Sequence, residues 1–411
     1  MQPTRCLLLK QGEIFLKGEN RPTFQRRLRQ NLEQAFPAEC GRIRVQPRGG
    51  VIVLYPQREA ELLAKRMAEV PGINVIDSAL AVPKEPAALA EAALAELRRV
   101  WGEDLGDRTV PFAVAAQRRD KQYRLTSEQL NRKLGAQIQQ ATGWPVNLSH
   151  PQATVRVEIN FGEAFVSVDR RRGLGGLPVG SSGRAMVLLS GGYDSPVAAL
   201  RMMKRGLSCD FVHFSGAPYT DPSSTYKAYA LVKQLSRFQP ASRLWVAQLG
   251  TAQRTLASSS DPALRTVAQR RLMLRIAEEL AARHGAEALV TGDSLGQVAS
   301  QTLSNIATVD EAARLPVLRP LLGWDKEEII AEARRIGTEE ISVLPDQDCC
   351  TLLAPPRPAT HSDAETLLKV ERRAGVEDLV ADTVSTLQEF RFRNGEVESE
   401  SAQAAPTAAA G

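Results

Sequence analysis

The residues Ser190-Gly191-Gly192-Tyr193-Asp194-Ser195 lie between a short apolar run, Met186 to Leu189, and a stretch that reads as a helix from Pro196 to Arg205. A strand, a tight turn of small residues and a helix start together suit a phosphate. Backbone N–H groups point outward without partners at a helix N-terminus, and the macrodipole favours an anion there. Gly191 and Gly192 let the main chain approach phosphate oxygens closely, and Ser190 and Ser195 add hydroxyl donors. Pro196 falls in the first helical turn, where its missing N–H is not needed. Asp194 sets one carboxylate in the middle, placed for a counter-ion of the phosphates or for the geometry of the turn. The Walker loop is excluded, because no Gly-Lys pair completes it. The dinucleotide fingerprint is excluded too, because the nearest glycine set, from Gly173, runs into Pro178 and precedes the strand.

Such a loop needs a sheet behind it. From Ala185 onward the strand-like segments "MVLLS", "DFVHFS", "LWVAQL" and "ALVTGDS" alternate with helical stretches at 196–205, 223–238 and 262–284. That alternation predicts an α/β region at 185–395, a doubly wound parallel sheet with crossover helices. A last helix starts at the Asp325/Glu328 pair and stops at Gly337. Upstream, strands near 6–10, 51–56, 112–117, 154–160 and 164–169 mix with helices near 21–36, 61–70, 86–100 and 127–142, an α+β pattern. Thr126 with Gln129 has capping-box spacing, and Leu130, Leu134 and Ile138 form one stripe. The expected divisions are 1–60, 61–170, a Gly-rich linker at 171–184, the sheet domain, and a disordered tail at 396–411 with no large apolar residue after Val397.

The chain of 411 residues is 43% hydrophobic and 24% charged, an ordinary globular profile. Five scattered cysteines do not make a disulfide framework, and no leader or bilayer-length apolar run is visible, which predicts a cytoplasmic protein with no membrane partner. The net charge of +5 is uneven. Residues 1–180 carry 27 Lys+Arg against 19 Asp+Glu, and the remainder 25 against 28. Arg118, Arg119, Lys121, Arg124, Arg132 and Lys133 give the basic half a polar edge that suits a nucleic acid, or a solvated face with no partner.

S-G-G-x-D-S is the signature of the PP-loop ATP pyrophosphatases, which cleave ATP between the α and β phosphates and transfer AMP to a substrate oxygen. Asp194 would then serve Mg²⁺ on the pyrophosphate. Further segments resemble one family, the tRNA 4-thiouridine synthetases, also called ThiI. "GEIFLKGENRPTF" resembles the family's ferredoxin-like domain, and the basic region that follows resembles its THUMP RNA-binding domain. "GLGGLPVGSSGRAMVLLSGGYDSPVAA", "GDSLGQVASQTLSNI", "LPVLRPLLGWDKEEII" and "DQDCCTLLAPPRP" resemble its catalytic domain. The fold implied is ferredoxin-like and THUMP α+β domains, then a PP-loop domain.

By that resemblance Leu188, Leu189, His213, Phe214, Arg270, Gly292 and Gln301 contact ATP together with Ser190, Gly191, Gly192 and Ser195. Lys326 is the implied catalytic lysine and Cys349 the sulfur-transfer cysteine, with Cys350 beside it. Uridine O4 at position eight of tRNA would be adenylated, and sulfur would replace it to give 4-thiouridine. The implied partners are tRNA, a cysteine desulfurase or other persulfide donor, and the carrier ThiS of thiamine thiazole synthesis. A catalytic pocket joined to a THUMP domain would fall short of position eight within one subunit, which makes a homodimer acting across subunits an expectation. Tyr193 stands where the family often has an aliphatic residue, and the chain has no room for the rhodanese domain some members carry. On the residues alone two other readings stay open: a PP-loop amidotransferase, and an RNA-binding module with a vestigial nucleotide site.

Overall fold

The structure is a computed structural model that describes residues 2–48, 50–347 and 349–402. Two compact units meet at the Gly176–Leu177 bond. The first holds β1 (Thr4–Gln11), β2 (Ile43–Arg48), β3 (Val51–Pro56), β4 (Ile73–Val82), β5 (Phe112–Arg118), β6 (Ala153–Ile159) and β7 (Ala164–Arg172). Its helices are α1 (Arg21–Gln34), α2 (Ala60–Ala68), α3 (Pro86–Trp101) and α4 (Ser127–Thr142). The strands make one sheet in the order β2-β3-β1-β4-β7-β6-β5. Every pairing is antiparallel except β5 with β6, which α4 connects as a crossover. The Thr126 and Gln129 side chains do form the capping box.

The sequence pattern missed β4, the central strand, because buried Asp77 and Ser78 interrupt its apolar run. Asp77 is held there by Arg170 at 2.6 Å and Lys10 at 2.8 Å. The core around Leu7, Leu28 and Leu54 extends through Leu63, Met67, Ile73 and Ile76, past the expected boundary at residue 60. The stretch expected as a linker begins inside the sheet and is tied to it: Arg171 and Arg172 belong to β7, and the N–H groups of Gly173 and Gly175 donate to Asn74 O and Ile73 O.

The second unit holds β8 (Arg184–Leu189), β9 (Ser208–Ser215), β10 (Ala241–Gln248), β11 (Ala288–Val290), β12 (Val317–Leu318), β13 (Gln388–Arg393) and β14 (Glu396–Ala402). The order is β12-β11-β8-β9-β10-β13-β14, parallel through β10 and antiparallel at β13 and β14. Helices α5 (Asp194–Lys204), α6 (Ser223–Leu235), α7 (Gly250–Ser259), α8 (Arg265–His284), α9 (Leu303–Asp310), α10 (Lys326–Arg335), α11 (Glu339–Ser342), α12 (Cys349–Leu352), α13 (Ala364–Ala374) and α14 (Val376–Ser385) connect and cover it. The strand β8 is flanked by β9 on one side and β11 on the other, so the order reverses there, and the crevice outside its carboxyl end is where doubly wound sheets bind ligands.

The expected disordered tail is corrected in part. Residues 396–402 form β14, paired with β13 around a turn with Asn394 at φ 51° and Gly395 at φ 86°. Asn-Gly is a strong hairpin signal, and backbone pairing needs no apolar side chains. Residues 403–411 lie outside the described residues.

A buried ion pair fastens the helices on one face. Arg271, fully buried on α8, donates from Nε to Glu371 Oε1 at 2.6 Å and from a terminal nitrogen to Oε2 at 3.2 Å. It also donates to Thr308 O, and Arg275 reaches Glu371 at 2.8 Å. Removing the carboxylate would strand two guanidinium groups. Glu371→Ala should therefore cost about 3–5 kcal/mol, read as a lower denaturation midpoint at unchanged slope; a loss under about 1 kcal/mol, typical of surface pairs, would contradict this.

Candidate functional site

The crevice is built around the start of α5. Ser195 is buried, and its Oγ accepts from Ser190 N–H at 2.9 Å and donates to Ser190 O at 3.2 Å. It closes the turn instead of facing outward as a donor. No side chain caps α5, so the donors of its first turn are left for a ligand. Gly292, just past β11, lies against this turn. A Cβ there would sit 2.6 Å from Ser195 N and 2.8 Å from the Asp194 carbonyl carbon. Glycine at 292 is thus a requirement of close backbone approach.

Beside the turn is a cavity of about 420 Å³, walled by Leu188, Ser190, Asp194, Ser195, Arg270, Gly292 and Gln301 among the expected residues. Leu189, Gly191, Gly192, His213 and Phe214 are not among its walls. Leu189 and His213 are ladder partners at the ends of β8 and β9. The His213 ring is buried, with Nδ1 3.0 Å from Leu189 O and Nε2 3.2 Å from Ser224 Oγ. That is the setting of a structural histidine.

Asp293, which the sequence reading did not single out, organises the cavity floor. Its Oδ1 accepts from Arg270 and, at 3.1 Å, from Gln301 Nε2; its Oδ2 accepts from Thr291 Oγ1 at 2.8 Å and Arg319 Nε at 3.0 Å. Burial pushes this carboxyl up, but the two guanidinium groups and the hydroxyl outweigh it and hold it at about 2, below its ordinary 3.8. Arg270 also reaches Ser300 Oγ at 3.1 Å, and Arg319 grips Asp310. The floor is a charge-balanced network of two arginines and two aspartates, fixed in place. The readable signal was a carboxylate straight after a glycine at a strand end.

Asp194 points from the first turn of α5 to Lys326 Nζ at 2.6 Å and accepts from Gln297 Nε2 at 3.1 Å. Lys326 is placed by the Asp325/Glu328 capping box, present as expected, and lies 5.4 Å from the centre of the Tyr193 ring. Among the described residues no cluster of three acidic, histidine or cysteine side chains could hold a metal by itself. One carboxylate suffices for Mg²⁺ that travels with phosphates, so Asp194 fits that part.

Cys349 is only 2% exposed and packs in the core beneath the cavity. Gln269, a cavity wall, donates to its Sγ at 3.8 Å, and Gln253 donates to its carbonyl at 2.8 Å. The Cys350 side chain lies outside the described residues. Burial pushes the thiols of Cys6, Cys40 and Cys209 up, as suits structural cysteines.

In the first unit the basic residues divide. Lys121, Arg124, Arg132 and Lys133 are exposed, with Arg132 paired to Glu128 at 2.5 Å. Arg118 and Arg119 are half-buried; Arg118 donates to Tyr123 O at 3.1 Å, and Arg119 lies 3.9 Å from Glu158. Next to them stands Phe161, 77% exposed in the β6–β7 turn, with its carbonyl fixed by Lys84 at 2.9 Å. An exposed aromatic among cations suits an unstacked base. The signal for it was Asn-Phe-Gly between two strands.

Comparison with known proteins covers both units. Residues 180–376 match the thiamine biosynthesis protein (ThiI) family, 87–169 the THUMP domain and 6–76 the ThiI ferredoxin-like domain. The chain is 52% identical over 395 residues to the "Probable tRNA sulfurtransferase" of Nocardia farcinica, covering 95% of this chain and 96% of that one. It is 42% identical to the protein of that name in Thermus thermophilus, covering 90% and 89%. It is also similar to a crystal structure of a 4-thiouridine synthetase–RNA complex with bound ATP, at 32% identity and TM-score 0.86, covering 95% of this chain and all of that one.

The Asp293 floor carries a pH signature. A carboxyl depressed in the folded state adds stability that is present above its unfolded value and lost as pH falls from 3.8 to about 2. Asp293→Asn should be less stable than the parent near neutrality, and the gap should narrow as pH falls through that window. Parallel urea midpoints at three pH values check it; a gap that stays constant would remove Asp293 from the ionised network.

Proposed function

The chain belongs to the ThiI family of tRNA sulfurtransferases, and from that membership we propose a full reading of its site: an ATP-dependent enzyme that puts sulfur into tRNA by adenylating uridine O4 at position eight. The observation that carries it is the uncapped first turn of α5 opening on a cavity whose floor holds two carboxylate-anchored guanidinium groups, Arg270 and Arg319. The turn would take the pyrophosphate end of ATP, with Leu188 and the Arg270–Gln301 wall against the nucleoside. Gly292 permits that geometry by clearing Ser195.

Lys326 would leave Asp194 to follow the phosphates as charge shifts toward the leaving pyrophosphate. Its side chain is 43% exposed, free enough to swing. Asp194 would then hold Mg²⁺, whose contribution is neutralisation of phosphate charge. Adenylation turns O4, a poor leaving group, into AMP, and a sulfur nucleophile replaces it at C4. Cys349 would take part in delivering that sulfur as a thiolate, which requires it to leave the core. A desulfurase-type persulfide donor, a homodimer, a cytoplasmic setting and a second role with ThiS complete the proposal. In the described residues no helix is long and apolar enough to cross a membrane.

Two experiments test this. Cys349→Ala should bind ATP and tRNA yet yield no 4-thiouridine by nucleoside mass spectrometry, while Asp194→Ala should lose AMP release as well. Full thiolation by Cys349→Ala with a persulfide donor would remove the cysteine from the reaction, and tRNA binding by the parent with neither AMP release nor thiolated product would favour a vestigial site. On the basic face, replacing Lys121 and Arg124 by alanine should lower the salt slope of tRNA binding by about two. Phe161→Ala should weaken binding about 5- to 100-fold at unchanged slope, because stacking releases no counter-ions; equal slopes in all variants would place the RNA face elsewhere.

A further inference from the structure

Lys227 is a buried cation that the reading above does not use. It lies in the second turn of α6 with 6% of its side chain exposed. Its Nζ donates to Leu344 O at 2.5 Å and Asp346 Oδ1 at 3.1 Å. Lys227 and Asp346 both press on the phosphate turn. Asp346 Oδ2 lies 2.6 Å, and Lys227 Cδ 3.0 Å, from the point where Gly191 would carry a Cβ. The Asp346 carboxylate and the last methylenes of Lys227 therefore face the loop glycine, with the ammonium one bond beyond, beside the turn read as the phosphate site.

The chain segment that supplies Asp346 is stapled to the same place. Ser342 Oγ donates to Gly192 O at 3.2 Å. Gln347 N–H donates to Ser223 Oγ at 3.1 Å, and Gln347 Oε1 accepts from Asp221 N–H at 3.2 Å. Three residues after Asp346 comes Cys349, buried against Gln253 and Gln269. A buried thiol cannot meet a sulfur donor or an RNA base. On the role proposed for Cys349, some step of the reaction has to bring its thiol out of the core.

We propose that Lys227 is a phosphate-contacting residue for which the Asp346 carboxylate is the stand-in, so that pyrophosphate entering the turn takes Lys227 from Asp346 and frees the segment that carries Cys349. This rests on the reading of the turn as the ATP site. A polyphosphate carries more charge than one carboxylate and accepts from the same ammonium. Once Asp346 has lost its partner, it is a lone carboxylate in a half-buried place beside phosphate, and repulsion drives it outward. Adenylation and exposure of the cysteine thereby become consecutive, and the sulfur is not offered before an activated base exists.

The test uses the full chain and two probes, inorganic pyrophosphate and the α,β-methylene analogue of ATP. Iodoacetamide labelling of Cys349 is followed by tandem mass spectrometry, which separates it from Cys350. Pyrophosphate should speed labelling of the parent protein severalfold. Asp346→Asn should label fast without it. Lys227→Met should bind the analogue about tenfold more weakly, the loss of one charged hydrogen bond, and label fast with no further response. Lys227→Arg, which keeps the charge, should retain the response and guards against a folding defect in the methionine variant. Analogue affinity equal to the parent in both lysine variants, or labelling indifferent to pyrophosphate, would overturn the proposal while leaving the ATP site standing. Failure of the parent to bind the analogue at all would overturn both.

Discussion

The second unit depends on one contact: the backbone of Gly292 resting on the first turn of α5. With no Cβ at 292, the end of β11 and the start of α5 come within van der Waals reach, and Ser195 folds its hydroxyl back on Ser190. The turn is thereby shaped before any ligand arrives, and its main-chain donors are aimed without help from a capping side chain. Preorganised donors cost no reordering when charge develops near them. A larger residue at 292 would separate strand from helix and spoil the aim of each donor at once.

Charge in the cavity is arranged in two tiers. The floor, Asp293 with Arg270 and Arg319, is buried and locked by several bonds per group. The rim, a half-buried Asp194 with an exposed Lys326, is held by one ion pair and one amide. Each floor group has several partners to lose before it can shift, and each rim group has one or two. The floor therefore defines a shape, and the rim supplies groups that can move during a reaction.

Much of this was legible in the residues. The alternating strands and helices after Ala185 led to the parallel sheet, and S-G-G-x-D-S led to the turn at its switch point. What escaped was set by tertiary context. The strand β4 hides behind a buried Asp77 that only a neighbouring strand's Arg170 can neutralise. Asp293 and Arg319 are 26 positions apart and meet only after the sheet forms. His213 reads as a strand-end ligand, yet its ring turns inward to Ser224. Cys349 reads as a reactive thiol, yet the fold places it in the core. Local pattern reports which groups exist; packing decides which way each one faces.

The unbroken sheet of the first unit bears on how the chain is made. The strand β4 pairs with β1 on one edge and with β7, some ninety residues further on, on the other. As the polypeptide emerges from the ribosome, β4 must wait with a bare row of N–H and C=O groups until Arg172 has been added. A strand left open during synthesis invites pairing with a foreign chain. Asp77 at its middle puts a charge on that temporary border, a deterrent to mispairing that the finished sheet then reuses as an internal tie to Arg170.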